Sequence, residues 1–244
     1  MNEQLCIITC HGFTGYPAEM EPIGKFLEDK GKDKGFIWKN LQLPGHGTTP
    51  EDLKTKKWED WANYLLEEVD KCLQEFNNNV IMIGLSLGGA LTLYALANRP
   101  NVKAGVCLAT PITVVSWYQK ILLRLPFIGY FLNRQMNKID IFDSEAKKSH
   151  NSYPIVYPES IKELTKFIPL VKQNISNIQQ PLLIVQSKKD QIVDWHNAQV
   201  IYDKVASPRK ELFFVDQSSH VLTEDYDKEK IFAKSFEFIT SLAD

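Results

Sequence analysis

Gly84-Leu85-Ser86-Leu87-Gly88 constrains this chain more than any other stretch. The β-rich run Val80-Ile81-Met82-Ile83 leads into it, and an almost wholly apolar run over residues 87–97 leads out, so a serine stands between a buried strand and a buried helix. A turn that tight requires small residues on both sides of the serine. It lifts the hydroxyl above the sheet edge at a helix start, where free N–H groups favour developing negative charge. The plain alternative is a glycine-rich turn with an incidental serine.

The rest of the chain repeats the strand-then-helix alternation, the pattern of a parallel sheet covered by helices on both faces. Strands are predicted over residues 5–10, 36–41, 80–84, 102–109, 182–186 and 211–215. Between the second and third, Trp58, Trp61, Leu65, Val69, Cys72 and Phe76 recur at helical spacing and should pack on the sheet. Gly88, Gly89 and Ala90 allow the helix after Ser86 a close approach. About seventy residues separate the fourth and fifth strands, where a crossover needs only roughly a dozen. Something is inserted there. Its first part, residues 117–132, is rich in large apolar side chains interrupted by Pro126 and Gly129, and we read it as a helical cap.

With 244 residues, 44% of them hydrophobic, one domain over residues 1–244 is expected, with a cap insertion over about 112–175. Lys plus Arg number 28 against 30 Asp plus Glu, so no net field draws nucleic acid or anionic lipid, and a small neutral partner is expected. No window is apolar enough to span a membrane, and no cationic leader precedes an apolar core. Stable membrane insertion is not expected; oligomeric state is not readable. Cys6, Cys10, Cys72 and Cys107 lie in apolar runs without metal or redox spacing. Cys6 and Cys10 would sit about 13 Å apart on a strand, too far to bridge. Buried free thiols point to a reducing compartment, the cytoplasm.

A serine nucleophile needs a base, and five histidines are available. His220 follows the last strand, on a loop leaving the same sheet edge as Ser86, where catalytic groups of open α/β sheets gather. His196, in Asp194-Trp195-His196-Asn197, and His150, in Lys147-Lys148-Ser149-His150-Asn151, read as solvated. His46, in Leu43-Pro44-Gly45-His46-Gly47, reads as a structural residue of a loop near the site. The carboxylate behind the histidine should follow the fifth strand. Asp190 is favoured there over Asp194, which is placed to cap the helix beginning near Trp195, and Asp216 lies too close to His220 in sequence. The oxyanion needs two donors. One is the Leu87 N–H; the other is the Phe13 N–H in the turn His11-Gly12-Phe13-Thr14-Gly15, with His11 as a shaping residue.

Together these pieces resemble the bacterial carboxylesterase and monoacylglycerol lipase group of the α/β-hydrolase fold. The likeness is carried by His11-Gly12-Phe13-Thr14-Gly15, Leu43-Pro44-Gly45-His46-Gly47, Gly84-Leu85-Ser86-Leu87-Gly88-Gly89, Asp190 before Ile192-Val193, and Ser219-His220-Val221. It implies an α/β-hydrolase sheet of about six to seven strands, a Ser86, Asp190 and His220 triad, and an oxyanion hole from Phe13 and Leu87. Three departures stand out. The leading strands that many such proteins carry are missing, so a small sheet is expected. Ser187 and Ser219 stand where relatives often have glycine before the acid and the histidine.

The expected activity is hydrolysis of short- to medium-chain acyl esters, monoacylglycerols included, through an acyl-enzyme and without metal or cofactor. His11 and Gly12 are assigned to the substrate-binding region, and Trp117, Leu122 and Phe127 to an acyl pocket under the cap. Acyl transfer would use the same triad. A non-catalytic ligand-binding protein on a hydrolase scaffold is the rival from another class, and an apolar cap anchoring the protein to lipid surfaces is a third.

Overall fold

The computed structural model describes residues 4–113 and 140–242. Six strands, β1 (Leu5–Cys10), β2 (Phe36–Leu41), β3 (Val80–Leu85), β4 (Ala104–Leu108), β5 (Leu182–Ser187) and β6 (Lys210–Val215), form one sheet in the order β2-β1-β3-β4-β5-β6. All five pairings are parallel. Every residue of β1, β3, β4 and β5 is buried, whereas the edge strands β2 and β6 are largely half-buried. That contrast is what covering both faces of a parallel sheet demands.

Alternation along the strands divides the core. Cys6, Ile8, Cys10, Val80 and Met82 face one layer, built from α3 (Trp58–Glu75), α4 (Leu87–Asn98), α6 (Pro158–Asn174) and α7 (His196–Lys204). Leu5, Ile7, Ile81 and Ile83 face the other, built from α1 (Glu21–Lys30) and α8 (Lys228–Thr240). The stripe on α3 buries Trp61, Leu65, Val69 and Cys72 as its spacing predicts. All four cysteines are buried free thiols.

The predicted strands lie within two residues of those observed. β4 begins later than expected because Val102 is tied into a turn, its N–H donating to the Arg99 carbonyl at 3.0 Å, and it ends where Ala109 enters the left-handed region at φ +46°. Two short helices complete the described chain, α2 (Pro50–Thr55) and α5 (Ser144–Ser149). Of the expected cap, α6 packs on the body: Phe167 is fully buried between Trp58 and Tyr94, ring centroids 5.8 and 5.5 Å away. Trp117, Leu122 and Phe127 lie outside the described residues.

Buried polar side chains pin the chain on either side of residues 114–139. Asn197 Oδ1 accepts the N–H groups of Ile112 and Thr113 at 2.9 and 2.8 Å. The carboxylate of Asp225, fully buried, accepts the N–H groups of Phe142 and Asp143, both at 2.9 Å.

Candidate active site

The chain moves from β1 outward to β2, then crosses back to β3 on the other side of β1. The loops after β1 and β3 therefore diverge at the switch point of the sheet, where open α/β sheets leave a crevice at their carboxyl ends. Ser86 follows β3 there. It is half-buried between fully enclosed Leu85 and Leu87, and its backbone sits at φ +54°, ψ −112°. A non-glycine residue in that region costs about 1–3 kcal/mol and persists only where its surroundings enforce it. Here they do so through backbone contacts. The Ser86 N–H donates to the Leu108 carbonyl at 2.8 Å. A Cβ on Gly84 would land on the Gly88 carbonyl, and one on Gly88 would land on the Cys10 carbonyl. The two glycines of the pentapeptide are thus required by packing against each other and against β1.

His220 and Asp190 meet beyond β6 and β5. The Nδ1 of His220 lies 2.9 Å from Asp190 Oδ2, and the carboxylate is fully shielded from solvent. Its other oxygen accepts the N–H groups of Ile192 and Val193 at 2.9 and 2.8 Å, and Gln186 Nε2 donates to Oδ2 at 2.8 Å. With four donors converging on it, the carboxylate stays ionised. Burial pushes Asp190 up, but the His220 charge, the His220 hydrogen bond and the two backbone N–H groups outweigh burial and hold it below the usual carboxylate range. For His220 burial pulls down, and the charge and hydrogen bond of Asp190, with Asp140 and Glu19 behind them, carry it above the ordinary imidazole value. No hydrogen bond joins Ser86 Oγ to His220 among the described residues; in substrate-free enzymes such contacts are often long and tighten only when substrate binds.

Two loops carry this pair, and serines tie them together. Ser187 Oγ donates to the Ser218 carbonyl and accepts the Lys189 N–H at 3.0 Å. The Ser219 N–H donates to Asp225 at 2.7 Å, and the His220 N–H to the Asp140 carbonyl at 3.1 Å. The hydroxyl of Ser187 thus joins the loop after β5 to the loop after β6, and the His220 N–H ties the latter to the returning chain at Asp140; Ser219 contributes a backbone N–H that glycine would also supply, with its hydroxyl 3.5 Å from the Lys189 carbonyl.

The turn after β1 lies against Ser86: a Cβ on Gly12 would stand 3.5 Å from Ser86 Cβ. His11 organises it from behind. Its Nε2 accepts the Leu43 N–H at 3.2 Å, so the proton sits on Nδ1, which donates to the Gly12 carbonyl at 2.9 Å. Burial pulls this imidazole down to about 4, in keeping with a neutral ring whose nitrogens are both occupied. His11 therefore shapes the loop and offers no ring nitrogen to a ligand. The Gly15 N–H closes the turn on the Gly12 carbonyl at 3.2 Å, with Thr14 at φ +64° in its third position. A trans peptide points its N–H opposite to its carbonyl, so holding the Gly12 oxygen on one side sends the Phe13 N–H to the other.

His46 is fully buried, its ring 4.9 Å from that of His11 and 6.0 Å from that of Trp61, as a structural residue of its loop. His196 and Asp194 are exposed and paired with each other at 2.7 Å, away from His220. His150 departs from expectation. Its neighbours in sequence are mostly exposed, but its side chain is only 4% exposed, lying 2.8 Å from Glu224 Oε2 and 3.8 Å from Glu19 Oε1. A polar stretch disguised a histidine that turns inward at the end of α5 to meet two carboxylates. Tyr153 also escaped notice; its hydroxyl donates to the Gly45 carbonyl at 2.8 Å and accepts the Thr48 N–H at 2.9 Å, clasping the loop after β2. No cluster of three or more His, Cys, Asp and Glu is arranged to hold a metal among the described residues, and no described helix is long and apolar enough to cross a membrane.

Comparison with known proteins agrees with this architecture. The hydrolase family described as serine aminopeptidase, S33 matches residues 2–227. A carboxylesterase of Bacillus subtilis is 27% identical over 97% of this chain and 92% of its own. A thermostable monoacylglycerol lipase of Bacillus sp. strain H-257 is 30% identical over 99% of this chain and 93% of its own. Among solved structures, one from the metagenome-derived lipolytic enzymes LipS and LipT superposes with a TM-score of 0.80 at 27% identity, covering 99% of this chain and 95% of that one.

Proposed function

We propose, on the premise that the chain belongs to the serine aminopeptidase S33 family of hydrolases, that it is a serine carboxylesterase acting on short- to medium-chain acyl esters, monoacylglycerols among them. It is an α/β hydrolase of the carboxylesterase and monoacylglycerol lipase kind. Ser86 attacks the ester carbonyl while His220 Nε2 takes its proton. The tetrahedral oxyanion is met by the N–H groups of Phe13 and Leu87. Collapse expels the alcohol, protonated by His220, and water releases the acyl group by the same steps in reverse order of partners. Asp190 holds the Nδ1 proton in place and stabilises the imidazolium that forms.

The observation that carries this reading is the His220 to Asp190 contact of 2.9 Å on a fully shielded carboxylate, at the same sheet edge as the strained Ser86. A non-catalytic scaffold would have no call for a nucleophile held in costly backbone geometry. The carboxylesterase and lipase names of relatives matched over nearly the whole chain favour esters over peptides. Trp117, Leu122 and Phe127 are proposed to line the acyl pocket, within a cap inserted in a single domain. Four buried free thiols suit the cytoplasm.

A panel of nitrophenyl esters differing only in acyl length, with a monoacylglycerol and an aminoacyl nitroanilide, tests the proposal. Each buried methylene is worth about 0.8 kcal/mol, so kcat/KM should rise severalfold per two carbons and then fall once the pocket is full. Alanine at Trp117, Leu122 or Phe127 should move the optimum for at least one of them. Turnover of the anilide alone would make the protein a peptidase, and Ser86-independent turnover would end the mechanism.

A further inference from the structure

Glu19 is a buried carboxylate with no part in the proposed triad. Only 5% of it is exposed, although glutamate is almost never fully buried without a partner. Its Oε2 accepts the Gly12 N–H at 2.9 Å, and its Oε1 lies 3.8 Å from His150 Nε2. His150 in turn is held by Glu224 at 2.8 Å. A chain of three ionisable groups, drawn from the short 3-10 helix Pro17–Met20 before α1, the end of α5 and the loop after His220, thus ends on the backbone of the loop beside Ser86. The loop is built to admit it: a Cβ on Gly15 would fall on the Glu19 carboxylate. Burying a carboxylate is expensive unless it is paired and hydrogen-bonded.

We propose that Glu19, oriented by His150 and Glu224, is a positioning residue that holds the peptide planes on either side of Gly12 so that the Phe13 N–H meets the oxyanion. The proposal rests on the reading of Ser86 as nucleophile. The Gly12 carbonyl is held by His11 Nδ1 and the Gly15 N–H, and the Gly12 N–H is held by Glu19 alone among the described residues. With both groups held, the planes before and after Gly12 are fixed and the Phe13 N–H has one direction. Without Glu19 the first plane can swing, and the donor moves with it. Interactions realised only in the transition state are lost, while ground-state binding is untouched.

The test compares Glu19→Ala, Glu19→Gln and His150→Asn with wild type, using a nitrophenyl ester and an alkyl boronic acid, whose tetrahedral serine adduct puts an oxygen in the oxyanion position. Losing a full oxyanion donor costs about 10²–10³ in kcat, so a loosened one in Glu19→Ala should cost roughly ten- to a hundredfold, with KM unchanged and boronate affinity falling by the same factor. Glu19→Gln, whose amide oxygen still accepts the Gly12 N–H, should restore most of both. His150→Asn leaves the Gly12 contact in place but unclamped and should lose severalfold in kcat and boronate affinity together. It carries the test if the alanine variant has no cooperative thermal transition. The proposal is overturned if the folded variants keep wild-type kcat and boronate affinity, or if glutamine is as impaired as alanine. Should wild-type turnover not depend on Ser86, the nucleophile reading falls and takes this one with it; Ser86-dependent turnover indifferent to Glu19 and His150 removes this one alone.

Discussion

Replacing Asp190 with asparagine probes the link between geometry and proton transfer most sharply. The carboxylate has four donors around it: Ile192 and Val193 N–H on Oδ1, Gln186 Nε2 and His220 Nδ1 on Oδ2. A carboxamide will keep its oxygen on the two backbone N–H groups, which cannot turn away, and so present its NH₂ to His220. Gln186 can accept from that NH₂ only by flipping its own amide, which gives up the long contacts of its Nε2 with the Ser187 and Val193 carbonyls, at 3.3 and 3.5 Å. His220 must then accept at Nδ1 and carry its proton on Nε2, the nitrogen that should receive the serine proton. The fold should lose on the order of 1–3 kcal/mol, the range for a hydrogen bond left imperfect at a buried site. Catalysis should lose roughly ten-thousandfold in kcat, about 5 kcal/mol of barrier. Asp194→Asn is the control, because the Asp194 side chain is exposed and among the described residues engages only His196. Steady-state hydrolysis of a nitrophenyl ester, with urea denaturation alongside, separates the two effects. An Asp190→Asn enzyme within tenfold of wild type, or a dead Asp194→Asn enzyme, would refute the assignment.

On the proposed mechanism His220 acts as a base only when neutral, and Asp190 holds its pKa above the ordinary imidazole value, so kcat/KM should climb with pH along a limb centred above that value; a limb centred well below it would contradict the pairing. The stability contribution runs the other way. A raised histidine stabilises fully below its unfolded pKa and loses that contribution as pH rises through the folded value, while the lowered Asp190 loses its own as pH falls through its folded value. The difference in urea midpoint between wild type and Asp190→Asn should accordingly be largest at mildly acidic pH and shrink on the alkaline side. Asp225→Ala leaves the Phe142, Asp143, Ser219 and Tyr226 N–H groups without their acceptor; thermal denaturation should show a loss on the order of 3 kcal/mol, and no change would mean that water or repacking replaces the carboxylate.

What could be read from residues alone was whatever is encoded locally. The β-rich runs of β1 and β3, the helical stripe on α3 and the small residues around Ser86 each declare themselves within a few positions, and all appear as predicted. Glu19 and His150 could not be found that way. Glu19 looks like an ordinary polar residue at the start of an amphipathic helix, and His150 lies among exposed lysine and serine; that the two meet each other, and that His150 meets Glu224, is visible only in the folded chain. Gln186 reads as the last residue of an apolar strand, and nothing in its neighbourhood reveals that its amide reaches Asp190. The serine at 187 is visible in the sequence as a departure, but its hydroxyl's function as a tie between loops emerges only when β5 and β6 lie side by side.

Treating the protein with a fluorophosphonate, followed by intact mass and peptide mapping, tests the central claim most directly, because the reagent reacts with a serine only where a base and an oxyanion hole activate it. A single adduct on the peptide containing Ser86, absent in folded Ser86→Ala and accompanied by complete loss of ester turnover, is the predicted result. No adduct, an adduct elsewhere, or full turnover by the labelled protein would contradict the account.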